Sequence, residues 1–271
     1  MNIAVVPNKD KPAAYAVCQQ IAELLQQYPA QLLADDAALA GEYNIMDTDA
    51  LYKAADFVLA VGGDGTIMHT AKRAARDGKP VVGINAGRMG FLANLEQSEL
   101  QYLYRLFTGA FEVDDRMVLS AEFAGNAYDF INDLVIVKTG TENLVDLTAG
   151  YAEQGIAYRA DGLIIATPTG STAYSMSAGG PILDTSLDCI VVTPICSHSL
   201  FSRSVIFNAN REIFVRLVGE GQRAEVVLDG ETRIPVTQGA AIRVVKNRSI
   251  SIRFIKFKKD AFYDILSQKI K

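Results

Sequence analysis

Apolar and polar positions follow two different rhythms along the chain. Ile3 to Val6 is a short apolar run, and between Ala13 and Tyr28 the residues Val17, Ile21, Leu24, Leu25 and Tyr28 recur at helical spacing. Asp56 precedes a second apolar run, Phe57 to Val61, which ends in glycine. Thr66 to Arg76 then predicts a helix, with Ile67, Met68, Ala71, Ala74 and Ala75 on its inner side and Gly78 as its stop. Val81 to Ile84 predicts another buried strand. Ser98 to Phe107 predicts a last helix, in which Gln101 completes a capping box. Alternating strands and helices over residues 1–109 mean an α/β domain, a parallel sheet covered by helices.

After Gly109 the rhythm is that of strands. Val118 to Ala124 and Tyr128 to Val137 flank Gly125-Asn126, a turn-forming pair, and predict a hairpin. Short runs follow at Leu144 to Ala149, Leu163 to Ala166, Ile190 to Thr193, Ile213 to Val218, Glu225 to Leu228 and Ile242 to Val245. Ile250, Ile252 and Phe254 alternate with Ser251 and Arg253 at the period of a half-buried strand. Residues 110–259 therefore predict an all-β C-terminal domain. The tail 260–271, with Phe262, Ile265, Leu266 and Ile270, predicts a closing amphipathic helix.

Composition narrows the function classes. Of 271 residues 49% are hydrophobic and 21% charged, enough apolar surface for a buried core and too much for a disordered chain. Lys and Arg number 26 against 31 Asp and Glu, a formal net charge of -5, which argues against a protein that coats nucleic acid. The opening residues lack the cationic lead and apolar run of a signal peptide, and no apolar stretch reaches the ~20 residues of a membrane helix. Cys18, Cys189 and Cys196 are too scattered for a disulfide framework or a zinc site and predict free thiols in a reducing cytoplasm.

Two segments carry candidate chemistry. Gly62-Gly63-Asp64-Gly65-Thr66 stands where an apolar strand hands over to a helix, the ligand-binding end of an open α/β sheet. Glycines there admit phosphates to backbone N–H groups, and the helix N-terminus favours negative charge. A carboxylate beside phosphates needs a reason, and Asp64 would accept a proton from a hydroxyl nucleophile. A tight turn with Asp64 as N-cap is the alternative. The second segment, Thr167 to Pro181 (TPTGSTAYSMSAGGP), is dense in small residues and hydroxyls around one aromatic, suited to backbone and hydroxyl contacts with a ligand. A Ser–His–Asp hydrolase lacks its G-x-S-x-G signature and would have only His69 and His198 to choose from as base.

Taken in order, these segments resemble the NAD kinase family, as do Gly83 to Leu92, Asn132-Asp133, Thr193 to Leu200 and the late Asp229-Gly230-Glu231. The resemblance implies phosphorylation of the adenosine-ribose 2′-hydroxyl of NAD, with ATP or polyphosphate as donor and Mg²⁺ as the divalent cation, held largely by the donor's phosphates. It implies Asp64 as catalytic base, Gly65 facing phosphates and His69 one helical turn further on. Asn132 and Asp133 would hold ribose hydroxyls. Asp161 would read an amino group and Arg159 a phosphate, while Thr172, Ala173, Tyr174, Ser175 and Ser177 would line the dinucleotide site. It further implies a homodimer or homotetramer, with no nucleic-acid or membrane partner. The sequence departs from the family pattern at Asp133, where glutamate is usual, and at Ser197 and Ser204, where prolines are common. Lipid and sugar kinases share GGDGT, and a dinucleotide sensor without turnover would keep the same pocket. For Asp229 and Glu231 a turn role and a ligand contact both fit.

Overall fold

Short runs of aliphatic residues, each closed by a turn former, build the parallel strands β1 (Asn2–Pro7), β2 (Gln31–Ala34), β3 (Asn44–Ile45), β4 (Phe57–Gly62) and β5 (Val81–Asn85). The computed structural model describes residues 1–87, 90–140, 144–152, 154–199, 202–258 and 266. Two units emerge, Met1–Asp115 with Ile250–Lys271, and Arg116–Ser249. In the first, the strands pair in the order β5-β4-β1-β2-β3. The chain walks outward from β1 to β3 and then returns to β4 on the other side of β1. Strand order thus reverses between β1 and β4, which is where ligands bind at the carboxyl ends of such sheets.

The helices are α1 (Pro12–Leu25), α2 (Thr48–Ala54) and α3 (Asp64–Arg76). Val17, Cys18, Ile21 and Leu25 of α1 pack with Ile3, Val5, Leu59, Val61, Val82 and Ile84 in one apolar cluster. α3 buries Ile67, Met68, Ala71, Ala74 and Ala75 and lies against β4 and β5, as its periodicity predicts, and Gly78 follows with φ +62. The last expected helix differs. Gln97–Tyr104 is a 3-10 helix that passes into a short α4 (Arg105–Thr108). The capping box is formed by Glu96 and Glu99, two residues earlier than Ser98 and Gln101, because the Glu96 carboxylate is anchored by the Asn85 side-chain amide at 2.9 Å.

In the second unit β6 (Glu112–Phe123) and β7 (Asn126–Phe130) form the expected hairpin. Its turn is Ala124-Gly125, with φ of 50 and 77, and Asn126 already opens the return strand. The apolar run Tyr128 to Val137 does not continue as one strand. It breaks at Ile131-Asn132, and β8 (Asp133–Lys138) joins another sheet. There follow β9 (Val145–Tyr151), β10 (Gln154–Ala160), β11 (Gly162–Ala166), α5 (Tyr174–Ser177), β12 (Cys189–Ile195), β13 (Val205–Asn208), β14 (Ile213–Leu217), β15 (Arg223–Leu228), β16 (Thr232–Thr237) and β17 (Ala241–Lys256). Six antiparallel strands run β13-β12-β11-β8-β15-β16; β10-β9-β14-β17 run antiparallel beside them in a second sheet, to which β6 and β7 are joined. Leu119, Phe130, Leu134, Tyr158, Leu163, Ile190, Ile213 and Val226 fill the space between the sheets.

Two differences from the all-β expectation follow from local chemistry. Between β11 and β12 the hydroxyl-rich run forms a 3-10 turn at Thr169–Thr172 and the single turn of α5. The runs Ile242 to Val245 and Ile250 to Phe254 are one strand, β17, whose Ile242 pairs with β14 and whose Phe254 pairs with Val81 of β5. Ile250 onward accordingly groups with the first unit. The closing helix expected over 260–271 falls almost wholly outside the described residues. No helix among the described residues is long and apolar enough to cross a membrane.

Candidate active site

β4 delivers Gly62-Gly63-Asp64 to the carboxyl end of the parallel sheet, and each glycine there has a separate cause. A Cβ on Gly62 would lie 2.7 Å from the Thr66 Cβ and Oγ1, so Gly62 lets the helix turn back over the strand. A Cβ on Gly65 would meet nothing within 4 Å, and its backbone is not left-handed. Packing among the described residues therefore does not require glycine at 65, which is exposed. Gly63 is the N-cap of α3 and no described side chain caps that end, so the first-turn amides are left with the helix dipole behind them.

Asp64 is the first residue of α3 and does not cap it. Its carboxylate reaches the segment after β5, where Oδ2 accepts from the Phe91 amide at 2.8 Å and Oδ1 from the Leu92 amide at 3.1 Å. Gly90 closes over the same carboxylate. Asn85, at the end of β5, holds the following turn by donating to the Gly87 carbonyl at 3.2 Å and accepting from its amide at 3.0 Å. From the β1–α1 connection, Asn8 donates to Thr66 Oγ1 at 2.9 Å. His69 is exposed on α3, and no described residue partners its ring.

The second unit holds a cavity of about 410 Å³ lined by Asn132, Asp133, Ala173, Tyr174, Asp229 and Arg233, with Val135, Val137 and Val227 as its apolar floor. Asn132 and Asp133 stand at the break between β7 and β8. The break is held by Asp229, whose Oδ1 accepts from the amides of Asn132 at 2.7 Å and Asp133 at 3.1 Å and whose Oδ2 accepts from Ile131 at 3.0 Å. The Asp229 amide donates back to the Asp133 carbonyl at 2.9 Å. Asp229 and Gly230 have φ of 47 and 74, the left-handed pair of a tight β15–β16 turn. The Asp-Gly turn, read from the sequence as turn or ligand contact, is the clasp that aims Asn132 and Asp133 into the cavity.

The hydroxyl-rich run divides its labour. Thr167 Oγ1 donates to the Ile131 carbonyl at 2.5 Å, and a Cβ on Gly170 would sit 1.9 Å from the Asn132 carbonyl, so this part is sewn to the Asn132 turn. The Ser171 hydroxyl donates to the Pro168 carbonyl at 2.6 Å, and Ser175 Oγ lies 3.1 Å from Thr193 Oγ1, both buried. Thr172 bonds its own turn through the Thr169 carbonyl at 3.2 Å, and Ser177 is exposed. Ala173 and Tyr174 are the members that face the cavity. Arg159 and Asp161 lie elsewhere in the unit. Arg159 is an exposed β10 residue 3.9 Å from Asp146, and Asp161 pairs with Lys138 at 2.6 Å. Sequence reasoning missed Arg233 in the cavity and the clasp role of Asp229. The signal for the latter was an Asp-Gly pair following a strand-like run.

Comparison with known proteins gives this geometry a context. The family description ATP-NAD kinase N-terminal domain matches residues 3–110, and ATP-NAD kinase C-terminal domain matches 131–257. An NAD kinase of Symbiobacterium thermophilum is 36% identical over 278 residues, covering 98% of each chain. One of Heliobacterium modesticaldum is 34% identical, covering 99% of this chain and 98% of its own. Among solved structures, an NAD kinase from Archaeoglobus fulgidus in complex with ATP superposes with a TM-score of 0.79 at 25% identity, covering 100% of this chain and 98% of that one. A yeast NADH kinase shares the fold with a TM-score of 0.88 at 21% identity, covering 100% of this chain and 87% of that one.

Proposed function

The chain belongs to the NAD kinase family and is an enzyme that phosphorylates NAD to NADP, and we propose that Asp64 is the general base of that transfer. One observation carries the assignment. Asp64 is the only acidic residue in the glycine turn, and its carboxylate is fixed by two backbone amides rather than by an ion pair. A carboxylate held that way keeps lone pairs for the proton of the ribose 2′-hydroxyl and is not neutralised by a neighbouring cation. The glycine turn and the open first turn of α3 receive the donor's phosphates.

Asn132 and Asp133 hold ribose hydroxyls of the dinucleotide, and Tyr174 offers an aromatic face in the same cavity. Arg233, which pairs with Glu225 at 2.7 Å, adds a cation suited to a phosphate. Asp133 is one methylene shorter than the glutamate usual in the family, so its ribose contact runs through a longer hydrogen bond or a water. His69, Arg159, Asp161, Thr172, Ser175 and Ser177 remain proposed contacts. Ser175 acts through its backbone in this reading, since its hydroxyl is turned to Thr193.

ATP is the donor in this reading, with polyphosphate as the alternative. Among the described residues no group of three or more His, Cys, Asp or Glu side chains is arranged to hold a metal. In this reading Mg²⁺ is carried mainly by the donor's phosphates, because the ion keeps few protein ligands. The cation supplies neutralisation of phosphate charge; the chain supplies position and the base. The enzyme works in the cytoplasm as a homodimer or homotetramer.

Purified protein is incubated with NAD, ATP and Mg²⁺, and NADP is measured alongside the Asp64→Asn variant. Loss of at least 100-fold in kcat with NAD affinity retained supports the base assignment. An Asp64→Asn enzyme within tenfold of wild type removes it.

A further inference from the structure

We propose that Lys11 is a binding residue for the donor's phosphate chain. The inference rests on the kinase reading above and adds a residue to it. Lys11 lies in the connection between β1 and α1, the strand end that faces β4 across the point where strand order reverses. Its ammonium stands over both glycine turns at that edge. Among the described residues, a Cβ built on Gly63 would have Lys11 Nζ within 4 Å, at 3.8 Å, and one on Gly87 would have it at 3.9 Å. The exposed Lys11 ammonium is thus within reach of both glycine turns.

The connection carrying Lys11 is built rather than loose. The Asn8 amide donates to the Val61 carbonyl of β4 at 2.8 Å, and its side chain donates to Thr66 Oγ1 at 2.9 Å, which fastens the segment to the glycine turn. Asn8 Oδ1 accepts from the Asp10 amide at 3.0 Å, and the Asn8 carbonyl from the Lys11 amide at 3.2 Å, so a tight turn presents Lys11. Pro12 then fixes the first residue of α1 and limits how far the lysine backbone can swing.

Charge completes the argument. Neighbouring Lys9 is committed to Asp35 at 3.6 Å. Among the described residues no carboxylate lies in ion-pair range of Lys11, although Asp64 belongs to the same turn. A lysine kept beside open amides at a helix N-terminus, with no acid assigned to it, suits a polyanion that brings its own charge. Lysine acts there as a point charge on a flexible stem, able to follow the phosphates as they move in line.

The experiment uses the full chain and two probes, MgATP and inorganic tripolyphosphate. Wild type, Lys11→Ala and Lys11→Arg are compared by calorimetric titration and by steady-state kinetics, with thermal melting as the folding control. The expected result is a loss of tenfold or more in affinity for both probes in Lys11→Ala and a matching rise in KM for ATP. KM for NAD stays within twofold, and Lys11→Arg recovers most of the loss. Unchanged affinity for both probes in a folded Lys11→Ala overturns the proposal, and so does a rise confined to the KM for NAD. If wild type itself makes no NADP from NAD and MgATP, the donor reading above fails instead, and tripolyphosphate binding still judges Lys11.

Discussion

Gly90 is the lid of the Asp64 carboxylate: a Cβ added to Gly90 would lie 1.7 Å from Oδ1 and 2.6 Å from Oδ2. The backbone at Gly90 is not left-handed, so what demands glycine is the close approach of the carboxylate alone. Gly90→Ala must therefore push Asp64 off the Phe91 and Leu92 amides. We expect kcat to fall by about 100-fold, the scale of a displaced general base, with a melting temperature little changed because the segment carrying Gly90 is a connection beyond the carboxyl end of β5. Kinetics and melting on the same preparation check it, and a fully active Gly90→Ala would mean that Asp64 does not work from this position.

Gly65 separates folding from function in the opposite sense. Alanine fits its backbone and meets no neighbour, and it lowers the entropy of the unfolded chain, so Gly65→Ala is expected to stabilise the protein by about 0.4–1 kcal/mol. The same methyl occupies the space proposed for the donor's phosphates, and KM for ATP should rise while stability improves. Denaturant unfolding together with KM for ATP and NAD reads both halves. A variant with unaltered KM for ATP would place the phosphates elsewhere.

Much of this was legible in the chain because periodicity and glycine placement are local. The β4–α3 turn follows from five residues, and the parallel sheet from alternating runs. What escaped was set by long-range partners. Tyr128 to Val137 reads as one strand until Asp229, nearly a hundred positions later, draws three amides out of line at Ile131 to Asp133. The serines and threonines of 167–177 look alike in sequence, yet the Thr167, Ser171 and Ser175 hydroxyls are internal struts, and Ala173 and Tyr174 face the cavity. Strands β2, β3, β10, β13 and β16 are short or sit at or near sheet edges, where alternation is weak. Lys11 carries no motif at all; only its meeting with two glycine turns singles it out.

The thiols give a prediction on ionisation. Cys18 and Cys189 are buried and Cys196 is exposed. Burial, with the Asp36 and Glu42 charges adding to it, raises Cys18 from 9.0 to about 12. Native protein at pH 8 should therefore react at one thiol with a chromogenic disulfide, and at three once denatured. The same shift makes folding pH-dependent with a definite sign. Well below pH 9 Cys18 is protonated in both states and its contribution is intact. From there toward pH 12 the unfolded thiol ionises and the folded one does not, so stability falls as pH rises. Cys18→Ala should flatten the alkaline fall in melting temperature, although Tyr15 and Tyr52, also raised to about 12, will keep part of it.

Asp229 offers the sharpest test of how the cavity is made. It adopts φ 47, which costs a non-glycine residue energy, and its carboxylate gathers the amides of Ile131, Asn132 and Asp133. Asp229→Ala keeps the strain and orphans those amides, so a destabilisation of about 1–3 kcal/mol is expected. Asp229→Asn tolerates the same backbone and retains one oxygen. Because Oδ1 serves Asn132 and Asp133 together, that variant should stay folded while its KM for NAD rises several-fold, KM for ATP being unaffected. If Asp229→Ala and Asp229→Asn lose stability alike and neither alters KM for NAD, the Asp-Gly turn is only a turn, and Asn132 and Asp133 are aimed by something else.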